Sequence, residues 1–216
     1  MFSIIGSLIL PFCYTACSWR NNSTIIKGFP DIRWDQTCGF GYAPNAQMPQ
    51  TFMATTIDLP DFSSPYNSIH PRDKQDVASR LVLSALQVAY NIKTMGRFVG
   101  PMISAFSVDL ITNRMTLDFD NGTDPIRVKS MDGFEICCSV NNMSKCDGTD
   151  DSKWLPSPIV SYDTTSVTVA TCDGMWIMGI RYAWRESPCL SSKMCAVYSV
   201  ENDIPMSPYI SIGLIN

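Results

Sequence analysis

The sequence predicts a mixed α/β part over residues 1–95 and an all-β part, most simply a sandwich, over residues 96–216. The first prediction rests on a short apolar, β-branched segment at residues 51–58, typical of a buried parallel strand, and on a long amphipathic helix after it. The second rests on the change to strand-like alternation beyond Met95, punctuated by Asn-Gly and Asp-Gly turn dipeptides. A chain of 216 residues is long enough for two such parts.

The helix is predicted to run from Asp73 to about Ile92. Asp73 suits the N-cap, and Asp76 adds negative charge to the first turn, where the helix dipole favours it. The pattern predicts a buried apolar face, with Arg80 and Gln87 turned outward. The apolar residues that recur at helical spacing are Val77, Leu81, Val82, Ala85, Leu86 and Ala89.

Eight segments of the second part are predicted as strands, because apolar and β-branched residues alternate with polar ones between turn signals. They are residues 104–111, 114–118, 126–130, 133–139, 166–172, 175–184, 195–200 and 209–215. Residues 28–60 are instead rich in aromatic and turn residues, which predicts loops of the active-site type rather than regular elements.

The charge balance argues against nucleic acid as a partner. The net charge is −4, and the sequence has no run of Lys or Arg that would follow a phosphate backbone or an anionic membrane. The apolar run at residues 2–12 is too short to span a bilayer and has the length of a signal-peptide core, although it lacks the basic start of one. A buried strand at residues 7–11 and a misassigned start are the alternatives.

The cysteines indicate disulfides rather than a metal site. None of the nine lies in a Cys-x-x-Cys pattern, and the chain has a single histidine to help ligate zinc. Six cysteines lie beyond residue 136 and could form up to three disulfides in a pairing that the sequence leaves open, while Cys13, Cys17 and Cys38 form an odd remainder. Together with the Asn-x-Ser/Thr triplets, they favour an oxidising, secretory or lysosomal compartment. Those triplets begin at Asn21, Asn22, Asn121 and Asn142.

The single histidine, His70, stands where a general base could be held. Pro71 stiffens the chain after it, and the predicted helix begins at Asp73, so the imidazole would lie at a loop-to-helix junction. Spacing alone fits a structural histidine better, with its ring bonded to a neighbouring carbonyl group. A further observation has to decide between the two.

Several sequence blocks supply that observation. They read GFPDIRWDQT at 28–37, MPQTFMA at 48–54 and SIHPRDKQ at 68–75, then Cys137-Cys138 with Cys146, WLP at 154–156, RYAW at 181–184 and Pro188-Cys189 with Cys195. In these blocks the chain resembles the sialate O-acetylesterase family, in its C-terminal part. The resemblance runs from about Ser18 to the C-terminus.

The resemblance implies a fold and an activity. The fold would be the C-terminal part of an SGNH-type three-layer α/β hydrolase domain followed by a β-sandwich-like domain, in a lysosomal or secreted glycoprotein. The activity would be removal of O-acetyl groups from sialic acids or sialoglycans, without a metal or organic cofactor. By the same resemblance His70 is the general base that activates a serine for attack on the acetyl carbonyl group.

Two features depart from the family pattern. The position three before the histidine, where an acidic residue is usual, holds Asn67. Three groups could orient the imidazole in its place: Asp58 first, Asp61 second, and a backbone carbonyl near Asn67 third. Asp58 could equally well be a residue that caps a turn at the end of a strand. None of the 12 glycines is followed two positions later by a serine, so a Gly-x-Ser nucleophile is missing and the chain alone is predicted to be inactive.

A second hypothesis is a non-catalytic glycan-binding or structural glycoprotein built on the β-part. Trp176, Tyr182 and Trp184 are its candidate sugar-stacking residues. Aromatic residues at alternating strand positions are more often core or cross-strand pairs, so the family resemblance takes precedence.

Overall fold

A computed structural model describes residues 28–68, 70–92, 96–109, 111–141, 146–148 and 150–215. Within these ranges the chain has two α-helices, α1 (Phe29–Asp35) and α2 (Lys74–Val88), and two 3-10 helices, Asp120–Gly122 and Asp151–Lys153. The ten strands are β1 (Ile103–Asp109), β2 (Arg114–Phe119), β3 (Ile126–Val128), β4 (Phe134–Ser139), β5 (Trp154–Pro156), β6 (Ile159–Tyr162), β7 (Ser166–Ala170), β8 (Trp176–Tyr182), β9 (Val197–Ser199) and β10 (Tyr209–Ile215). The predicted β-rich second part is therefore confirmed.

The strands form two four-stranded sheets, in the orders β1-β2-β7-β6 and β10-β8-β4-β5, and a two-stranded ribbon of β3 and β9. Every pairing is antiparallel. Met115 and Leu117 of β2 alternate with partly exposed residues and are fully buried against the core. They belong to one apolar cluster with Ile136 of β4 and Ile180 of β8, so the two sheets share a core, as in a sandwich.

Two strands, β5 and β6, are absent from the sequence prediction. Both lie at the edge of their sheet. Pro156 ends β5 and Pro158 precedes β6, and proline is tolerated at a sheet edge because it has no N–H to donate. Because proline in a sequence usually indicates a turn, neither β5 nor β6 was predicted as a strand.

The prediction of a parallel strand at residues 51–58 is wrong. The segment is irregular, with a turn at Ile57 and Asp58. Its carbonyl oxygens are bound by side chains of α2 instead of a neighbouring strand: Ser84 Oγ donates to Met53 O at 3.0 Å, and Arg80 Nη1 donates to Thr55 O at 2.7 Å. The prediction of loops alone before residue 60 is also incomplete, because α1 forms there.

Helix α2 confirms the predicted helix, including its cap, since the backbone N–H of Asp76 donates to Asp73 Oδ1 at 3.1 Å. The predicted orientation of the helix is confirmed for Val77, which is buried, and is wrong for Arg80, which is buried, and for Val82 and Ala89, which are exposed. The residues that it buries are Val77, Arg80 and Ser84. Arg80 therefore points into the molecule, where Asp58 neutralises its charge.

The segment before residue 95 packs onto the β-part. Arg33 of α1 donates to Arg185 O at 2.5 Å and to Glu186 O at 2.6 Å, and Ile57 is part of the apolar core that the sheets share. Residues on both sides of the predicted boundary are thus joined by buried contacts. The boundary itself stays a prediction.

Three disulfides confirm the oxidised pairing of the last six cysteines: Cys137–Cys146, Cys138–Cys172 and Cys189–Cys195. Cys138 lies on β4 and Cys172 just beyond β7, so this bond ties one sheet to the other. Cys38 is free and exposed.

Of the glycosylation triplets, Asn121 is exposed on a 3-10 turn. Asn21, Asn22, Asn142, Cys13, Cys17, Met95 and the apolar N-terminal run lie outside the described residues. No helix in the described ranges is long and apolar enough to cross a membrane.

Candidate active site

His70 lies on an exposed loop that leads into α2. Its backbone N–H donates to Asn67 O at 2.9 Å, and Ser64 Oγ donates to His70 O at 2.7 Å. Asn67 has a φ of 71°, the left-handed conformation that reverses the chain just before the histidine. These bonds fix the backbone of the loop and leave the imidazole exposed to solvent. Ile69 of the same block lies outside the described residues.

A two-point ion pair between Asp61 and Arg72, which we call the clasp, closes the loop that carries His70. The Asp61 carboxylate accepts from Arg72 Nε at 2.7 Å, Arg72 Nη2 at 2.9 Å and the Arg72 backbone N–H at 3.1 Å. The side-chain hydrogen bonds from Arg72 lower the pKa of Asp61 to about 2, against an ordinary value of 3.8. The clasp holds the two ends of the loop together, with His70 between them.

Asp58 is fully buried and bound to two other elements. Its carboxylate accepts from Arg80 Nη1 at 2.7 Å and from Arg80 Nη2 at 2.9 Å, and the Tyr198 hydroxyl donates to Oδ2 at 3.1 Å. Burial, together with the charge of Asp58, raises the pKa of Tyr198. Asp58 therefore fastens α2 to β9 at a point where both charges are desolvated.

The structure does not join the candidate acids to His70 by a hydrogen bond. Asp58 binds Arg80 and Tyr198, and Asp61 binds Arg72 and Ser63. Asn67 O accepts from the backbone of His70, not from its ring. The role of each as the acidic partner remains a prediction.

The described residues place no serine hydroxyl in hydrogen-bond contact with the His70 ring. Ser64 is the serine bound to this residue, but its proton goes to the main-chain oxygen of His70. The geometry thus presents an exposed imidazole on a loop whose backbone is fixed, and its role as general base stays a prediction.

A second polar centre lies on the β-part and was missed in the sequence. Arg181, fully buried, donates from Nε to Glu135 Oε2 at 2.8 Å, and Arg185 Nη1 donates to Asp151 Oδ2 at 2.7 Å. Arg181 also pairs with Asp151, and Arg185 with Glu135. Burial lowers the pKa of both arginines. Glu135, Asp151 and Arg185 line an open cavity of about 750 Å³.

The loop closed by the Cys189–Cys195 disulfide connects this cavity with the histidine side. Leu190 and Met194 line the cavity. Lys193 lies between these two residues in the sequence and faces the other way: its backbone N–H donates to Asp58 O at 2.6 Å, and its Nζ pairs with Asp76 in the first turn of α2. The hydrogen bond from Lys193 lowers the pKa of Asp76. This loop thereby braces the helix that follows His70.

The predicted sugar-stacking residues do not form an exposed platform. Tyr182 is 1% exposed and Trp184 3%, and both pack in the interior. Tyr182 lies against Phe134 at 4.7 Å between ring centroids, and Trp184 meets Trp34 edge-on at 5.7 Å. Trp176 alone of the three is exposed, at 44%. The stacking prediction is therefore wrong for Tyr182 and Trp184, because they fill core positions.

Comparison with known proteins agrees with the sequence blocks. A family model described as "Sialate O-acetylesterase C-terminal domain" matches residues 104–213. The chain is 41% identical over 189 residues to the sialate O-acetylesterase of Mus musculus, and 40% identical over 188 residues to that of Homo sapiens. Each alignment covers 85% of this chain, but 32% of the murine and 33% of the human protein, so the chain spans about a third of the length of these curated relatives.

A solved structure shares the fold. The carbohydrate acetylesterase from Xanthomonas citri superposes with a TM-score of 0.60 at 24% identity, covering 85% of this chain and 36% of the other. At this identity the likeness concerns the fold alone. It extends across residues on both sides of the loop that carries His70.

Proposed function

Because this chain belongs to the sialate O-acetylesterase family, we propose that it is the base-bearing C-terminal part of an esterase that removes O-acetyl groups from sialic acids. The match to esterases over 85% of the chain carries the proposal. The SIHPRDKQ block lies on a loop whose backbone is fixed on both sides of His70, as a general base requires. Burial of Tyr182 and Trp184 removes the main support for the glycan-binding alternative.

The reaction assigned to His70 is acyl transfer. The imidazole takes the proton of a serine hydroxyl as its oxygen attacks the acetyl carbonyl carbon, and backbone N–H groups stabilise the oxyanion. His70 then returns the proton to the sugar oxygen as the ester C–O bond breaks. Water, deprotonated by the same imidazole, then attacks the acetyl carbon of the acyl-serine. The bond from this carbon to the serine oxygen breaks, acetate leaves, and the imidazole returns its proton to the serine oxygen. Serine and oxyanion donors would come from the part of the enzyme that the relatives have outside the aligned region.

The surrounding contacts suit this role. The Asp61–Arg72 clasp and the Ser64 hydroxyl limit the motion of the loop backbone, which positions the Cα of His70 and leaves the imidazole accessible to a substrate. In this proposal residues 1–95 belong to an SGNH-like domain. Asp58 is the first candidate for orienting His70, a role it would have to combine with its bonds to Arg80.

The place of action proposed for the protein is a lysosomal or extracellular compartment. Three disulfides support an oxidising environment during folding. This localisation is tested by expressing the natural coding sequence in cells and collecting the secreted protein. Digestion of its N-glycans followed by mass spectrometry then measures whether the chain was glycosylated.

A fusion protein tests the function. The aligned segment of the murine relative is replaced by the corresponding segment of this chain, and acetate release from O-acetylated sialic acid is measured. We expect the fusion to hydrolyse the ester and the isolated chain to show no turnover above background. A folded fusion without activity would contradict the proposed function, and turnover by the isolated chain would reveal a nucleophile within it.

A further inference from the structure

The cavity on the β-part has the size and the lining of a ligand site. It encloses about 750 Å³, within the range of cavities that bind small molecules. Leu190 and Met194, 48% and 47% exposed, contribute apolar surface to it, while Glu135, Asp151 and Arg185 contribute charged groups. Apolar walls with a few convergent polar side chains are the usual form of a binding site.

The ion-pair network at this cavity is expensive for the fold to keep. Arg181 and Arg185 share the carboxylates of Glu135 and Asp151, and Arg181 is fully buried. Well-packed apolar side chains often stabilise a fold as much as such a network does. Charged groups that a protein retains in a cavity despite this cost indicate a functional site. Asp151 keeps 40% of its side chain exposed and Arg185 keeps 19%, so both can still contact a ligand.

Three of the sequence blocks that carry the family resemblance meet at this cavity. The WLP block contributes Pro156, the RYAW block contributes Ala183, and Cys189 enters with its disulfide loop. The acyl transfer assigned to His70 uses none of these residues. Binding of the substrate would give them a common purpose.

The charges at the cavity favour a neutral ligand rich in hydroxyl groups. Two cationic and three anionic side chains line it, namely Lys129, Arg185, Asp132, Glu135 and Asp151. Arg181 adds a third cation to the same network, so the charges balance. A free anion or cation gains little from a balanced lining, whereas a hydroxyl group can donate to a carboxylate and accept from a guanidinium group. Neutral sugars combine such hydroxyl groups with an apolar ring face, which suits the apolar part of the wall.

One loop connects the cavity with the segment that carries the histidine. Met194 lines the cavity, and Lys193, the residue before it, pairs with Asp76 in the first turn of α2. Consecutive Cα atoms are about 3.8 Å apart, so the cavity wall and the contact with α2 belong to the same short stretch of chain. His70 lies six residues before Asp76. The cavity is therefore on the side of the β-part that meets the histidine segment.

We infer that this cavity binds neutral sugar residues of the glycan to which the O-acetylated sialic acid is attached. The inference rests on the proposed function for the identity of the substrate. Asp151 and Arg185 form hydrogen bonds with sugar hydroxyl groups, and Leu190 and Met194 contact the apolar face of a ring. The enzyme then binds an acetylated sialoglycan more tightly than the free acetylated sugar.

Titration of lactose into the full chain tests the cavity without any need for catalysis. Amide chemical shifts of isotope-labelled protein locate the binding site and give its dissociation constant. We expect the shifts to map to the cavity, and we expect Leu190→Arg, which fills it with a longer side chain, to weaken binding about tenfold. Leu155→Arg is the matched control, because Leu155 is 45% exposed and is not among the described residues that line the cavity.

The kinetics of the fusion protein test whether the substrate uses the cavity. The ratio of the KM for O-acetylated sialyllactose to the KM for free O-acetylated sialic acid is compared between variants. Leu190→Arg should raise this ratio about tenfold, because only the longer substrate reaches the cavity, and Leu155→Arg should leave it unchanged. Leu190 is exposed, so its substitution should preserve the thermal midpoint; if the midpoint falls, Met194→Arg replaces it.

The outcomes separate the cavity from the proposed function. Absence of lactose binding, or binding that persists in Leu190→Arg, overturns the inference even if the fusion protein is active. Shifts at the cavity with sialic acid but not with lactose overturn the neutral class of ligand, and an unchanged KM ratio overturns its use by the substrate. Leu190-dependent lactose binding together with an inactive, folded fusion protein would support the sugar site and contradict the proposed function.

Discussion

Asp58 and Arg80 form a buried two-point ion pair, with Nη1–Oδ1 at 2.7 Å and Nη2–Oδ2 at 2.9 Å, that joins a turn to the middle of α2. Tyr198, 140 residues away along the chain, completes the pair by donating its hydroxyl proton to Oδ2. This desolvated carboxylate therefore joins the helix that begins just after His70 to the β-part, in addition to the ion pair between Lys193 and Asp76.

Removing the cation of this pair should destabilise the fold strongly. Arg80→Met leaves the Asp58 carboxylate buried without compensation, for which we expect a loss of about 3–5 kcal/mol in the free energy of unfolding, measured with urea. Arg72→Met, at the exposed ion pair with Asp61, serves as the control and should change the free energy of unfolding much less, because solvent screens this pair. The double variant Asp58→Asn, Arg80→Met should be more stable than Arg80→Met alone, and a less stable double variant would contradict this account.

Acid should weaken the clasp around His70 over a defined pH range. The pKa of Asp61 is lowered in the folded chain, from 3.8 to about 2, so its contribution to stability is fully present above pH 3.8 and is lost as the pH falls toward 2. In Asp61→Asn this contribution is absent at every pH. Unfolding measured between pH 4.5 and 2.5 should therefore show a shallower decline for Asp61→Asn than for the unmodified chain, and equal slopes would count against a clasp in solution.

The disulfides should stabilise according to the length of chain they enclose. Cys138–Cys172 spans 34 residues and Cys189–Cys195 spans 6. A disulfide restricts the unfolded chain more when it encloses a longer loop. Replacing the first pair by serines should therefore lower the free energy of unfolding by about 4 kcal/mol, and replacing the second pair should lower it by about 2 kcal/mol. Denaturant unfolding of the two double variants measures both values. Non-reducing mass spectrometry of secreted protein should find all six cysteines oxidised, and six free thiols would refute the pairing.

Local signals in the sequence were enough to predict much of the fold. Asp73 as N-cap, the start of α2 and the eight strands follow from residue periodicity and turn dipeptides, which act over a few neighbours. The helix ends at Val88, earlier than the predicted end near Ile92. The orientation of α2 does not follow from these local signals, because it depends on Asp58, 22 residues earlier, pairing with Arg80 inside the fold. Residues 51–58 have the composition of a parallel strand, but their carbonyl oxygens at Met53 and Thr55 are bound by α2 side chains instead.

The candidate site was predictable to a similar degree. His70 and its loop follow from the sequence block, whereas the clasp requires Asp61 to meet Arg72 across 11 residues. The sequence could not predict the ion-pair network of Glu135, Arg181, Asp151 and Arg185. Strand alternation predicts which face of a sheet a side chain occupies, but not which charged side chains meet on that face. Tyr182 and Trp184 illustrate the same limit: their aromatic character suited a sugar platform, and their burial assigns them to the core.

The most direct test of the central claim is the turnover number of the murine fusion protein with and without His70→Ala. Loss of a general base predicts a fall in kcat of about 10²–10⁴-fold with a smaller change in KM. The same fusion carrying Val140→Asp, a substitution at an exposed residue just after β4, should retain its activity. A His70→Ala fusion that is folded and hydrolyses O-acetylated sialic acid at the rate of the unmodified fusion would contradict the assignment of His70 as the base.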